Sequence, residues 1–218
     1  MPPDPAFADP AVRGPAVVPE CLTARAIRAR FAAPPRWQPE TDDARRALLP
    51  SPLRPAAVLV PLVARGDTLH VLLTERAADL PEHAGQISFP GGRVEAQDPS
   101  PVHTALREAS EEVGLAPDAV EVLGTLPDYV VATGYRITPV VGLIERPFVI
   151  QRAPFEVAEV FEVPLPFLMN PQNHERRLLH LGHSVRTFYA MPYTAHRRYF
   201  IWGATAAVLR NLYYFLRA

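Results

Sequence analysis

The sequence predicts an α/β fold of the α+β kind, in which a mixed β-sheet is sandwiched between helices. Three features predict it. Apolar runs at residues 56–64 (AAVLVPLVA) and 69–74 (LHVLLT) are joined by Arg65-Gly66-Asp67-Thr68, which reads as a hairpin. A strongly marked helix, roughly residues 101–113, lies between that pair of strands and a second pair at 120–126 and 137–144. The chain closes on residues 202–216, an apolar-rich helix with a basic margin at Arg210 and Arg217.

Taken in order, the first 55 residues carry 12 of the 26 prolines and little sustained periodicity, which argues for an extended or loosely ordered arm. Within it, residues 21–31 (CLTARAIRARF) form a short amphipathic helix with Leu22, Ala26 and Ile27 on one side, ended by Pro34, Pro35 and Pro39. The expected division is an arm over residues 1–54 and a folded domain over 55–218. The arm lies outside every motif, so removing about the first 20 residues is expected to leave activity intact. Pro61 inside the first apolar run suggests an edge strand or a bulge. The 101–113 helix has Ser100 as its N-cap, Pro101 at its first position and Gly114 where a left-handed cap is wanted. A second acidic stretch follows at 155–164, then a region of mixed character, with Trp202 read as core.

At 218 residues the chain can hold one domain with a full core. A formal net charge of −1 gives no global field toward nucleic acid or anionic lipid. One cysteine, Cys21, excludes an internal disulfide and fits a reducing compartment. No basic segment followed by an apolar run opens the chain, and no apolar stretch approaches the roughly 20 residues that span a bilayer, so the cytoplasm is expected. All 22 basic residues are arginine, so any side-chain cation that meets a phosphate is a guanidinium.

On a helical wheel Val102, Ala105, Leu106, Ala109 and Val113 share one arc, which must face the sheet. Glu108, Glu111 and Glu112 fall together on the neighbouring arc. At roughly 6 Å spacing and an effective dielectric near 20, each carboxylate pair repels by about 3 kcal/mol. Beside a packed face a divalent cation is the natural remedy, and Mg²⁺ suits hard oxygen ligands while keeping waters for exchange with phosphates. An acidic pair alone would be an ordinary solvated face. Here the frame is Arg107-Glu108-Ala109-Ser110-Glu111-Glu112-Val113-Gly114-Leu115, which reads RExxEExG followed by an aliphatic residue.

That segment resembles the second half of the Nudix box. The first half falls into register with one extra residue: Gly92, five residues, Asp98, eight residues, Arg107. This insertion with aspartate resembles the coenzyme A pyrophosphatase branch. A signature ahead of the box supports the branch: Leu72-Leu73-Thr74-Glu75-Arg76-Ala77, then His83, Gly85-Gln86 and Phe89-Pro90-Gly91-Gly92. It departs from the pattern at Pro81, where the family has arginine. Residues 133–142 (TGYRITPVVG), 156–165 and Ile201-Trp202-Gly203 also look like the family.

The resemblance implies a Nudix-like α/β/α sandwich that hydrolyses the diphosphate of coenzyme A or acyl-coenzyme A to 3′,5′-ADP and (acyl-)4′-phosphopantetheine with Mg²⁺ or Mn²⁺. The partner is then a small molecule rather than nucleic acid or membrane, with a homodimer left open. Glu108 and Glu112 match the principal metal ligands and Glu111 a supporting one. Arg107 is expected to orient a glutamate. Gly91 and Gly92 let the backbone approach closely. Among Glu156, Glu159 and Glu162, Glu159 is favoured as general base, against a structural role on an edge strand. Arg76 is the better phosphate contact because a guanidinium matches phosphate bidentately, and His83 is a weaker one. Tyr135, Phe188 and Tyr189 could stack an adenine or simply pack. The competing functions are a Nudix hydrolase of another nucleoside diphosphate derivative or damaged nucleotide, a catalytically silent nucleotide-binding module, and a structural interaction protein.

Overall fold

The computed structural model describes residues 9–10, 14–40, 52–80, 83–181 and 184–218. Pro81 lies outside them. Two runs of alternating burial explain the layers. In β2 (Arg54–Arg65) Val60 and Leu62 enter one apolar cluster while Ala57, Leu59 and Val63 enter another. In β3 (Thr68–Arg76) Val71 and Leu73 take the first side and Leu72 the second. A strand apolar on both faces must be covered twice. The helix α2 (Pro101–Val113) covers one face through Ala105, Ala109 and Val113. The terminal helix α4 (Gly203–Arg217) covers the other through Val208, Leu209, Leu212 and Phe215, joined by Ile27 of α1 (Ala24–Ala32). The result is a mixed sheet between helices.

Among the described residues that sheet has eight strands: besides β2 and β3 these are β4 (Ile87–Ser88), β5 (Gly91–Arg93), β6 (Glu121–Thr125), β7 (Tyr129–Val130), β8 (Tyr135–Ile144) and β9 (Val157–Pro164). The hairpin forms as expected, with Arg65 opposite Thr68 and Gly66 at φ +58 in the turn. β2 runs parallel to β8 over its length, so it is a central strand and not the edge suggested by Pro61. Proline is tolerated because the other side of β2 pairs β5 at residues 56–58 and β3 at 62–65, leaving residue 61 between them. The helix cap is as expected: Ser100 Oγ accepts from the His103 amide at 3.2 Å, and Gly114 takes φ +74.

A second, four-stranded sheet contains β1 (Asp9–Pro10), β10 (Glu175–Leu181), β11 (Ser184–Thr194) and β12 (Arg198–Trp202). Beside β9 lies a single turn, α3 (Leu165–Leu168). The described part of the proline-rich region is docked. Val17 is buried and its amide donates to the Met169 carbonyl at 3.1 Å, and the Tyr213 hydroxyl donates to the Pro15 carbonyl at 2.9 Å. Its far end, Glu40, pairs with the buried Arg210 of α4 and with Asn211, whose Oδ1 accepts from the Glu40 amide at 2.8 Å. No helix among the described residues is long and apolar enough to cross a membrane.

Candidate active site

The site lies where β5 meets α2, and its glycines are fixed by lack of room. A Cβ on Gly91 would lie 2.5 Å from the Ala57 carbonyl oxygen, and one on Gly92 would overlap the Glu108 carboxylate. The Gly91 amide donates to Glu112 Oε2 at 3.2 Å. Glu112 is buried, 4% exposed, although it belongs to the acidic arc. Burial pushes its carboxyl up to about 8, opposed by the Gly91 amide and Arg76 and reinforced by the charges of Glu108 and Glu156. Burial likewise raises Glu108, with Arg107 pulling the other way.

Arg107 is the hub of a clamp. Its Nε and Nη2 each donate to the Asp98 carboxylate at 3.1 Å, Nη2 also donates to Glu108 Oε1 at 2.9 Å, and Nη1 reaches Glu111 Oε2 at 2.9 Å. Asp98 is sealed, and it also accepts from Thr104 Oγ1 at 2.9 Å. Arg107, aided by the Glu95 amide, holds the Asp98 carboxyl well below the usual carboxylate range. The inserted aspartate thus fixes the arginine that fixes Glu108, a role the spacing alone did not reveal.

The structure brings together Glu108, Glu112, Gly91, Gly92 and Arg107, with Arg76 near enough to act on Glu112. The Arg76 Nε is buried without a hydrogen-bond partner among the described residues. Glu111 points outward, its side chain 59% exposed, and meets Arg107 from the far side. His83 is exposed at a turn with φ +60, its Nδ1 3.0 Å from Gln86 Oε1. Glu159 is drawn elsewhere: burial pushes its carboxyl up, but the Tyr199 hydroxyl at 2.6 Å, Arg197 and His196 outweigh that and hold it low. Glu162 is taken by Arg65 at 2.6 Å. Glu156 instead acts on both Glu108 and Glu112. Its loop is tied to the last turn of α2, where the Gln151 and Ala153 amides each donate at 3.0 Å to the Val113 and Glu112 carbonyls. Phe188 stacks edge-on against Trp202 at 5.5 Å, and Tyr189 lies under Arg210 at 3.7 Å.

Among the described residues no three acidic, histidine or cysteine side chains converge into a ready-made metal cage. The donor set nevertheless fits a hard divalent cation that retains waters, because two carboxylates suffice for it. One of them, Glu112, is buried where ionisation without a neighbouring cation is unfavourable.

Fold and site together define a mixed-sheet α/β/α protein with a glutamate pair on one helix facing a glycine turn. The NUDIX domain model matches residues 52–176, more than half of the chain. NudL of Escherichia coli K12, an uncharacterized Nudix hydrolase, is 42% identical over 160 residues, covering 73% of this chain and 81% of that protein. NudL of Citrobacter koseri aligns with the same identity and coverage. The chain belongs to the Nudix hydrolase family, whose members generally use divalent metals such as Mg²⁺ or Mn²⁺. Among solved structures, a C. elegans Ap4A hydrolase superposes with a TM-score of 0.44 at 19% identity, covering 50% of this chain and 80% of that one. The M. smegmatis Nudix hydrolase RenU has the same TM-score at 25% identity, covering 51% and 71%.

Proposed function

We propose that this Nudix hydrolase is a coenzyme A pyrophosphatase that cleaves coenzyme A or acyl-coenzyme A to 3′,5′-ADP and (acyl-)4′-phosphopantetheine. The observation that carries the proposal is the joint use of the family signature and the box at one place. Arg76 from the signature acts on Glu112, and the inserted Asp98 locks Arg107 against Glu108.

Glu108 and Glu112 are the residues that would hold Mg²⁺ or Mn²⁺, with Glu111 in support. When bound there, the cation neutralises charge on the phosphoryl oxygens and acidifies water. The chain's own residues do the rest. Arg76 offers a guanidinium with an unused buried Nε to the diphosphate. Gly91 and Gly92 keep side-chain bulk out of the approach. Arg107 keeps Glu108 aimed. Glu156 is the better-placed general base for the attacking water, because the carboxylate of Glu159 already serves Tyr199, Arg197 and His196. Displacement in line then needs only positioning and charge stabilisation.

A second reading, hydrolysis of another nucleoside diphosphate derivative, draws on Pro81, which removes an arginine from the signature. Product analysis with coenzyme A, acyl-coenzyme A, NADH and a nucleotide panel under Mg²⁺ and Mn²⁺ tests the choice. The expected result is 3′,5′-ADP and 4′-phosphopantetheine from coenzyme A as the fastest reaction. Faster release of products from NADH or a nucleotide would transfer the assignment to that substrate.

A further inference from the structure

At the rim of the same sheet, three side chains from three strands meet in an arrangement that the chemistry above does not use. Arg54 opens β2, Arg93 closes β5 and Tyr135 opens β8. The Arg54 guanidinium lies 4.0 Å from the centroid of the Tyr135 ring, and that of Arg93 lies 5.3 Å from it. Arg54 Nη2 also donates to the Thr133 carbonyl at 2.8 Å, and the Arg93 carbonyl accepts from Arg107 Nη2 at 3.3 Å. Two guanidinium groups thus lie against one ring, and that of Arg54 is held by a second contact. The Tyr135 hydroxyl oxygen is shut off from solvent and has no hydrogen-bond partner among the described residues. A buried hydroxyl left unpaired is unfavourable and calls for an explanation.

Strand register gives the relation to the active site. Gly92 is opposite Ala57 and faces Glu108, whereas Arg93 is opposite Ala56 and so points to the other face of the sheet. Arg54, two residues before Ala56 and opposite Tyr135, shares that other face. Gly92, which faces Glu108 of α2, and Arg93 are therefore adjacent along β5 and point to its two sides. A substrate that engages both must carry a diphosphate and a separate phosphate, and wrap the end of β5.

We propose that Arg54, Arg93 and Tyr135 form a subsite for a phosphomonoester of the substrate, and that under the coenzyme A reading, on which this rests, the group is the 3′-phosphate of the ADP moiety. Guanidinium pairs suit phosphate oxygens, and once the two guanidinium groups swing off the ring to hold a phosphate, its oxygen supplies the acceptor that the tyrosine hydroxyl lacks. Such a contact also makes up for the arginine that Pro81 replaces.

The test is titration calorimetry of the full chain with 3′,5′-ADP, 5′-AMP and inorganic phosphate, repeated on Arg54→Ala, Arg93→Ala and Tyr135→Phe, with hydrolysis of coenzyme A and 3′-dephospho-coenzyme A measured in parallel. Wild type is expected to bind 3′,5′-ADP at least about tenfold more tightly than 5′-AMP, and each arginine variant to lose most of that ratio. Tyr135→Phe, which removes only the unpaired hydroxyl, is expected to lower the ratio without lowering the melting temperature, so it remains informative should an arginine variant fold poorly. Equal affinity for 3′,5′-ADP and 5′-AMP would overturn the subsite even if coenzyme A is hydrolysed well. Inorganic phosphate binding as tightly as 3′,5′-ADP would also overturn it, since the arginines would then hold any small anion. Arginine-dependent binding of 3′,5′-ADP without hydrolysis of coenzyme A would keep the subsite and sink the coenzyme A reading.

Discussion

Of the proposed metal ligands, Glu112 is the one buried carboxyl. Replacing Glu108 or Glu112 by glutamine keeps shape and removes charge, so each variant is expected to fold while turnover at saturating Mg²⁺ falls by several orders of magnitude. Near wild-type kcat in either would remove the metal-ligand assignment. The pH dependence has a definite sign. Glu112 holds its proton up to about 8 in the metal-free fold, against 4.5 in an unfolded chain. Its contribution to stability is therefore full below about 4.5 and is lost as pH rises through 8. In chelator, the melting temperature of wild type should fall over that window relative to Glu112→Gln, and Mg²⁺ should close the gap. Parallel melting curves would contradict the burial of this group. The helical spacing made the acidic arc legible, and with it the pairing of Glu108 and Glu112. It could not tell which acid turns inward: Glu111 and Glu112 are neighbours in sequence, and only the tertiary position of the Gly91 amide separates them.

At the scale of elements, α2 and its caps were legible because Ser100, Pro101 and Gly114 act locally. The strands flanking it were legible from continuous apolar runs. The second sheet was not. β10 interleaves Arg176, Arg177 and His180 with leucines, and β11 contains Pro192, so neither carries a clean alternation. Nor could sequence reveal that the proline-rich stretch is seated. Its prolines leave little apolar periodicity to read, but Val17 and the Pro15 carbonyl still find partners on α4 and beside α3. Removing the first 20 residues is thus expected to leave kcat largely intact while costing stability, because burying one valine side chain is worth about 1.5–3 kcal/mol and two hydrogen bonds go with it. Denaturant unfolding of the truncated chain checks this. An unchanged midpoint would contradict the docking, and a folded but inactive protein would show that the arm completes the site.

Across the whole molecule, a long-range tie links Glu40 to Arg210 and Asn211, joining the described part of the arm to the last helix. Arg210 is 1% exposed, with Tyr189 and Tyr214 around its guanidinium. Glu40→Gln leaves that cation buried without its counter-charge and should destabilise the fold by about 3 kcal/mol, read from urea unfolding. A change below about 0.5 kcal/mol would mean the pair is structurally idle. His174 adds an acid limit. Burial pushes it down to about 4 from 6.5, with Arg210 adding to the shift and the Leu168 carbonyl opposing it. Its contribution is thus present above 6.5 and lost as pH falls through 4. Wild type should lose stability faster than His174→Gln between pH 6.5 and 4, and equal acid slopes would contradict the assignment. The proposed site is also a whole-molecule property, since Arg76, Gly91, Asp98, Glu108 and Glu156 come from separate segments that the central sheet gathers around one helix. Competitive kinetics on a mixture of coenzyme A and nucleoside triphosphates with Mg²⁺ separates the two substrate readings in one measurement. Coenzyme A is expected to be consumed first, with 3′,5′-ADP and 4′-phosphopantetheine appearing together. Faster consumption of any triphosphate would contradict the coenzyme A assignment and leave only the Nudix chemistry.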